Sequence, residues 1–253
     1  MKPIGLSNRV LPVFYVLDTS GSMRGEPIEV LNAAMEETIR LLREVARHNG
    51  DANVRIAVLS FDSTVRWMQP AGPEDLEDFV WRPLVAVQRG YTNMGAAVRE
   101  LNSKLSANEF LRSTTGSLLP VIIFMTDGYP TDDYSTELSY AMQNPNYRNA
   151  IRMGFALGSS CDRAMLESLV GDPRAVVQAD QLDQFEALIK FVSVTATSMA
   201  SVTRTESNEH LAAEIVGHSR LRAGYGEDDV TVTVVPEDVR RGRRRMWDMS
   251  DPL

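Results

Sequence analysis

Short, continuous apolar runs alternate with segments of helical periodicity up to about residue 200. The runs are rich in Val, Ile, Leu and Phe, as in Val10–Leu17 and Leu118–Met125, and they lack polar alternation. Strands of a parallel sheet have this composition because helices cover both of its faces. The alternation therefore predicts an α/β fold: a doubly wound, Rossmann-like, mostly parallel sheet with helices on both faces.

One pair of predicted strands has a link too short for a parallel crossover. Val54–Phe61 is followed by Thr64–Met68 after only two residues, which permits a hairpin and predicts one antiparallel edge strand. The other predicted elements are strands at Ile151–Leu157 and Ala175–Val177, and helices at Pro27 to about Asn49, Glu74–Phe79, Gly95–Phe110, Asp132–Met142 (ending near Pro145), Met165–Val170 and Leu182–Met199.

The alternating pattern weakens beyond residue 200, which predicts two regions. We assign residues 8–201 to one domain and residues 202–253 to a C-terminal extension whose structure the pattern does not define. Within the extension, Glu209–Arg222 has a helical pattern and Val230–Val235 alternates as a strand does. The arginine-rich run Arg240–Arg245 is interpreted as a solvated segment or a contact for another protein.

The composition disfavours several classes of function. The formal net charge is −8, whereas binding to nucleic acid needs a basic surface, so a nucleic-acid partner is disfavoured. No run approaches the roughly 18 to 20 apolar residues that span a bilayer, and Val10–Leu17 lacks a signal-peptide cleavage pattern. The single cysteine, Cys161, cannot form an intrachain disulfide, which favours a reducing compartment. Cys161 is interpreted as a packing or loop residue. We expect a cytoplasmic protein.

Two of the predicted buried strands run directly into an aspartate. Leu17 precedes Asp18, and Met125 leads through Thr126 into Asp127. Ligands of open α/β sheets lie outside the carboxyl ends of the strands, where the winding reverses. If the two strands are neighbours at that point, both carboxylates face one crevice.

Two neighbouring carboxylates repel each other unless a cation lies between them. Ser20 and Ser22 supply neutral hydroxyl oxygens from the loop that begins at Asp18. Mg²⁺ prefers oxygen ligands in octahedral geometry and keeps positions for water or an incoming ligand. The pattern predicts a Mg²⁺ site, with Mn²⁺ or Ca²⁺ as alternatives, whose open position takes a Glu or Asp of a partner protein.

The segment Asp18-x-Ser20-x-Ser22, together with Thr92 and Asp127, resembles the metal-ion-dependent adhesion site (MIDAS) of von Willebrand factor A (VWA) domains. The resemblance implies that Ser20 and Ser22 bind the metal directly. It implies that Thr92 binds it when a partner carboxylate is present, and that Asp18 and Asp127 bind directly or through water. All five positions match the pattern.

Two longer stretches are similar to the bacterial TerY group of VWA proteins: DTSGSMRGEPIEV (Asp18–Val30) and TDGYPTDD (Thr126–Asp133). Membership implies a cytoplasmic protein that acts in tellurite resistance or another stress response. It also implies a protein kinase or a phosphatase as the partner. The resemblance covers about residues 8 to 200 and does not extend to the C-terminal extension.

The alternative function is a metal-dependent phosphohydrolase that uses the same ion. Hydrolysis needs a base or a second metal, and no His or Lys accompanies Asp18 in its motif. Haloacid-type phosphatases need an aspartate where this chain has Ser20. We therefore expect a binding module with no catalytic residues.

The remaining candidate residues have structural interpretations. Asp132 and Asp133 are interpreted as helix caps or as additional negative charge near the site. The three histidines are interpreted as unliganded: His48, His210 and His218.

Overall fold

The computed structural model describes residues 9–48, 52–113, 116–158 and 160–179. The sequence-based predictions for residues 182–199 and for the extension at 202–253 lie outside these residues, as do His210 and His218.

A mixed, mostly parallel sheet forms the centre of the domain. Its strand order is β3-β2-β1-β5-β6-β7, and β4 also pairs with β2. β3 and β4 run antiparallel to β2, and the other pairs are parallel. The strands are β1 (Arg9–Asp18), β2 (Ala52–Phe61), β3 (Val65–Trp67), β4 (Glu74–Asp75), β5 (Val121–Thr126), β6 (Ile151–Leu157) and β7 (Val176–Ala179).

Helices connect the strands and pack around the sheet. In chain order they are α1 (Glu26–His48), α2 (Met94–Lys104), α3 (Tyr134–Ala141), α4 (Pro145–Arg148) and α5 (Arg163–Val170), with short 3₁₀ turns at Gly21–Met23 and Pro173–Ala175. No helix in the described part of the chain is long and apolar enough to cross a membrane.

The core lies on the central strands and on one face of α1. Every residue of β5 and β6 is buried, as is every residue of β1 after Arg9. Helix α1 presents to the sheet the apolar residues that recur at three- and four-residue steps, namely Ile28, Leu31, Met35, Ile39 and Leu42. The predicted α/β class and the antiparallel edge strand are confirmed.

The predicted helix at Glu74–Phe79 is wrong. Residues Glu74–Asp75 form β4, and a turn follows them. Asp75 accepts hydrogen bonds from Arg55 Nε (2.7 Å) and Asn53 Nδ2 (2.9 Å) on β2. These contacts with a distant strand determine the local conformation. The hydrophobic periodicity of residues 74–79 does not indicate them.

The helix predicted at Gly95–Phe110 ends early, at Lys104. The Leu105 carbonyl accepts hydrogen bonds from Asn144 Nδ2 (3.1 Å) and Asn146 Nδ2 (2.9 Å). These side chains satisfy a carbonyl that would otherwise have no partner at the helix end.

The prediction that a helix ends near Pro145 is confirmed, because α3 ends at Ala141. Pro145 itself lies in the first turn of a further helix, α4, with Asn144 as the N-cap residue. Proline suits this position because its missing N–H would have no intrahelical partner there. The helix before it, α3, lies within the predicted range Asp132–Met142.

Candidate metal centre

The strands that end at the two aspartates are neighbours in the sheet. β1 pairs with β5, with Leu17 opposite Met125, and β2 lies on the other side of β1. The winding therefore reverses between β1 and β5, which is where open α/β sheets bind their ligands. Asp18 is the last residue of β1, and Asp127 directly follows β5.

Asp18 is buried and has a fixed orientation. Its Oδ1 accepts a hydrogen bond of 2.7 Å from the Ser20 backbone N–H. Its Oδ2 accepts one of 2.5 Å from the Thr126 hydroxyl. Thr126 is fully buried as well. Sequence reasoning missed the role of Thr126, although its position between an apolar strand and Asp127 was visible.

The hydroxyls of the first loop connect Asp18 to Asp127. Ser20 Oγ and Ser22 Oγ lie 3.2 Å apart. Ser22 Oγ donates a hydrogen bond of 2.7 Å to Asp127 Oδ1. Ser20 is buried and Ser22 is exposed, so the arrangement opens to solvent on the Ser22 side.

Thr92 joins this group through a close approach to Gly128. A Cβ added at Gly128 would lie 3.2 Å from Thr92 Oγ1 and 3.9 Å from Ser22 Oγ. A glycine at this position keeps the space between the two hydroxyls clear of a side chain. The five predicted ligands thus come from three separate segments and lie at one edge of the sheet.

Burial makes the negative charge of this site costly. It raises the pKa of Asp18 to about 6, and hydrogen bonds from Thr126 and Ser20 oppose that rise. Burial also raises the pKa of Asp127, against the effect of the Ser22 hydroxyl. Within the described ranges, no Lys or Arg forms an ion pair with either carboxylate.

The donor set fits a hard divalent cation. Two carboxylates and three hydroxyls offer only oxygen, which Mg²⁺, Mn²⁺ and Ca²⁺ prefer over nitrogen or sulfur. A cation at this position would compensate the two desolvated carboxylates, which have no other positive partner among the described side chains.

The two aspartates in the loop between β5 and α3, Asp132 and Asp133, cap different helices. Asp133 caps its own helix α3 and accepts hydrogen bonds from Thr136 N (3.2 Å) and Thr136 Oγ1 (2.6 Å). Asp132 reaches the start of α2, where Oδ1 accepts from Gly95 N and Oδ2 from Ala96 N, both at 2.8 Å. The sequence pattern predicted capping, but it could not indicate that Asp132 caps a distant helix.

Two other candidates from the sequence, Cys161 and His48, are not among the predicted ligands. Cys161 is buried, and burial together with the charges of Asp127 and Asp162 raises the pKa of its thiol to about 12. The thiol is therefore protonated at neutral pH, as expected of a packing residue. His48 is the last residue of α1.

The comparisons with known proteins identify the family. The model of the von Willebrand factor type A domain matches residues 13–191. The chain therefore belongs to this family, and the mixed sheet with its surrounding helices is the VWA fold. A search of curated proteins gave no match.

Solved structures share the fold at low sequence identity. Proximal thread matrix protein 1 from the mussel byssus, in a structure with a zinc-occupied MIDAS motif, has a TM-score of 0.57 and 15% identity over 75% of this chain. The pilus adhesin SpaC from Lactobacillus rhamnosus GG has a TM-score of 0.57 and 14% identity over 77% of this chain. A von Willebrand factor type A protein from Catenulispora acidiphila has a TM-score of 0.54 and 12% identity over 75% of this chain. The alignments span 48%, 31% and 43% of those proteins, respectively.

Proposed function

We propose that this VWA domain is a metal-dependent protein-binding module without enzymatic activity. Its ligands for a Mg²⁺-type ion would be the side chains of Asp18, Ser20, Ser22, Thr92 and Asp127. One observation carries the proposal: oxygen donors from three segments meet at the switch point between β1 and β5. The mussel matrix protein, which has a similar fold, has a zinc-occupied MIDAS motif.

The balance of charged and neutral donors suits the capture of a carboxylate. Thr126 and the Ser20 amide hold Asp18 in place, so this carboxylate is oriented before any ion arrives. Three of the five donors are neutral hydroxyls, which leave a bound dication able to attract further negative charge. The ion, when bound, would supply a Lewis-acidic position for a Glu or Asp of the partner.

Two exposed tyrosines flank the candidate site. Tyr91 precedes Thr92 and is 67% exposed, and Tyr129 follows Gly128 and is 64% exposed. Exposed aromatic side chains are enriched where proteins bind one another, because they bury much area at little entropic cost. We infer that the partner presents its acidic residue beside apolar groups that pack against these rings.

The test is capture of the partner by the full chain in Mg²⁺ and in EDTA. We expect capture to be lost in EDTA and in the variants Asp18→Ala and Ser20→Ala, with the domain still folded. Ser168→Ala on α5 is the matched control for the serine, because among the described residues its hydroxyl donates only to Ala164 O within its own helix. Unchanged capture in EDTA and in both site variants would refute the metal bridge.

The enzymatic alternative is a phosphohydrolase with the same ion. Such an enzyme needs a base or a second metal beside the first. Among the described residues, the side chains that hydrogen-bond to Asp18 and Asp127 are the hydroxyls of Thr126 and Ser22, and no His or Lys is among them. Turnover of a generic phosphate ester with Mg²⁺ or Mn²⁺ that disappears in Asp18→Ala would favour the enzyme over the binding module.

For the cellular role, we propose a scaffold in a bacterial tellurite-resistance, stress-response or phosphorylation-signalling complex. The support is the similarity of Asp18–Val30 and Thr126–Asp133 to the TerY group. The partner would be a protein kinase or a phosphatase, and the complex would be cytoplasmic. A deletion strain should become sensitive to tellurite, and the wild-type gene but not Ser20→Ala should restore growth. Full complementation by Ser20→Ala would contradict this role.

A further inference from the structure

Helix α2, which begins two residues after Thr92, obtains its N-terminal cap from a distant loop. The first amides of a helix have no intrahelical partner. Asn93 occupies the N-cap position but makes no side-chain capping bond. The carboxylate of Asp132 instead accepts from two consecutive amides, Gly95 N and Ala96 N, at 2.8 Å each. Asp132 thereby connects the loop after β5 to the segment that carries Thr92.

Gly95 allows this approach for a steric reason. A Cβ at position 95 would lie 2.8 Å from the carbonyl oxygen of Asp133 and 3.0 Å from Asp132 Oδ2. The nearest of these atoms belongs to the backbone, so it cannot rotate away as a flexible side chain would. Any larger residue at position 95 would therefore push the Asp132 loop and α2 apart.

The same loop also holds Thr92 directly. The Thr131 backbone N–H donates a hydrogen bond of 3.0 Å to the Thr92 carbonyl. The Thr131 hydroxyl donates one of 2.9 Å to Asn93 Oδ1. The loop that begins at Asp127 thus holds Thr92 in two ways: through the carbonyl of Thr92 and through helix α2, which follows Thr92.

The far end of α2 is tied to the same part of the chain. Asn144 and Asn146, which lie between α3 and β6, both donate to the carbonyl of Leu105. Arg99 on α2 also forms an ion pair of 3.2 Å with Glu137 on α3. Helix α2 is therefore fixed at both ends to the segment between β5 and β6.

We propose that Asp132 is a positioning residue of the metal centre. It makes Thr92 and Asp127 one rigid unit and so sets the distance between two of the five oxygen donors. Asp132 does not itself bind the ion, because both of its oxygens are directed to the amides of α2. The inference rests on the proposed metal site and adds how the ligands Thr92 and Asp127 are kept at a fixed distance from each other.

Asp133 provides a matched control for Asp132. It is the adjacent residue with the same carboxylate, and it caps a helix too, but the helix is its own α3. Loss of either cap should lower the stability of the domain. Of these two variants, only the loss of Asp132 should also weaken metal binding, because Asp132 connects two ligand-bearing segments and Asp133 caps its own helix.

The experiment is calorimetric titration of Mn²⁺ into the chelator-treated full chain. We expect Asp132→Ala to weaken Mn²⁺ binding by about 10-fold, the lower end of the loss seen when a group bonded directly to a ligand is removed, because Asp132 acts on Thr92 through the start of α2. Asp133→Ala should keep the affinity of the wild type. Asp132→Asn should lie between the wild type and Asp132→Ala, since its amide keeps one acceptor oxygen. Thermal unfolding verifies that each variant is folded.

A metal-free measurement separates positioning from simple loss of fold. Hydrogen exchange in EDTA should show the amides of Gly95, Ala96 and Thr131 protected in the wild type and in Asp133→Ala. Exchange should be faster at all three in Asp132→Ala and in Gly95→Ala, with the core of β5 still protected. Equal Mn²⁺ affinity in Asp132→Ala and wild type would overturn this inference alone. If the wild type binds no Mn²⁺, the proposed function fails, and the inference fails with it.

Discussion

The hydroxyl of Thr126 donates a hydrogen bond of 2.5 Å to Oδ2 of Asp18 and joins the ends of β5 and β1 at the candidate metal centre. The same hydroxyl oxygen accepts from the backbone N–H of Gly128 at 3.2 Å. Thr126 therefore orients the carboxylate of Asp18 and also holds the loop that follows Asp127. It lowers the pKa of Asp18, against the larger effect of burial.

Thr126→Val should weaken metal binding by about 10- to 100-fold, because valine keeps the shape but removes a partner of a ligand. Titration with Mn²⁺ measures the loss. Thr38→Val on α1 is the matched control, since Thr38 is fully buried and its hydroxyl has no hydrogen-bond partner among the described residues. We expect Thr38→Val to bind the metal as the wild type does. Equal affinities in both variants would show that Thr126 does not orient Asp18.

The stability of the metal-free domain should depend on the protonation of Asp18. Its pKa rises from 3.8 to about 6 on folding, mainly through burial. Between these values the folded state binds more protons than the unfolded state, so this carboxyl destabilises the fold increasingly as the pH rises. Above about pH 6 the destabilisation is complete, and acidification toward about pH 4 removes it.

The isosteric variant Asp18→Asn isolates this effect. Denaturant unfolding in EDTA should show that the variant gains stability relative to the wild type between about pH 4 and about pH 6. Parallel stability curves for the two proteins would contradict the raised pKa. In the presence of Mn²⁺, the wild type should lose affinity below about pH 6, since the ion must displace the proton.

The close approach of Gly128 to Thr92 predicts a steric effect on the site. In Gly128→Ala the new Cβ would lie 3.2 Å from Thr92 Oγ1, so the threonine must shift, and we expect weaker Mn²⁺ binding. Gly21→Ala is the control within the metal loop, because its Cβ would meet no atom closer than 3.7 Å. The prediction fails if Gly128→Ala binds Mn²⁺ with the same affinity as Gly21→Ala.

The two exposed tyrosines should affect the partner and not the ion. Tyr91→Ala and Tyr129→Ala each remove an aromatic ring beside the site but no metal ligand. We expect each to reduce partner capture in Mg²⁺ while Mn²⁺ affinity stays unchanged. Tyr140→Ala, at the far end of α3 and 57% exposed, should leave both unchanged. If the double variant Tyr91→Ala/Tyr129→Ala captured the partner as well as the wild type does, these rings would not be part of the binding surface.

The sequence predicted the sheet well because its signals are local. Val10–Leu17 and Leu118–Met125 are continuous apolar runs, and the structure has buried strands at Arg9–Asp18 and Val121–Thr126. The two-residue link after Phe61 predicted the antiparallel strand, which pairs Phe61 with Val65. The aspartates at the strand ends predict where the candidate site lies, and the structure places both carboxylates at neighbouring strand ends.

The misassigned elements depend on contacts between residues far apart in the chain. The strand at Glu74–Asp75 is held by Arg55, and α2 ends where Asn144 and Asn146 donate to the carbonyl of Leu105. The roles of Thr126 and Asp132 are of the same kind, since their partners lie 108 and 36 to 37 residues away. Residue type alone does not identify such partners.

Anomalous diffraction from crystals of the full chain grown with Mn²⁺ would locate the bound ion. We expect an anomalous peak between Asp18, Ser20 and Ser22, with the two serine oxygens at about 2.0 to 2.4 Å from the ion, as expected for such cations. The peak should vanish in Asp18→Ala crystals. A wild-type structure with no peak at the ends of β1 and β5, despite saturating Mn²⁺, would show that these residues do not form a metal site.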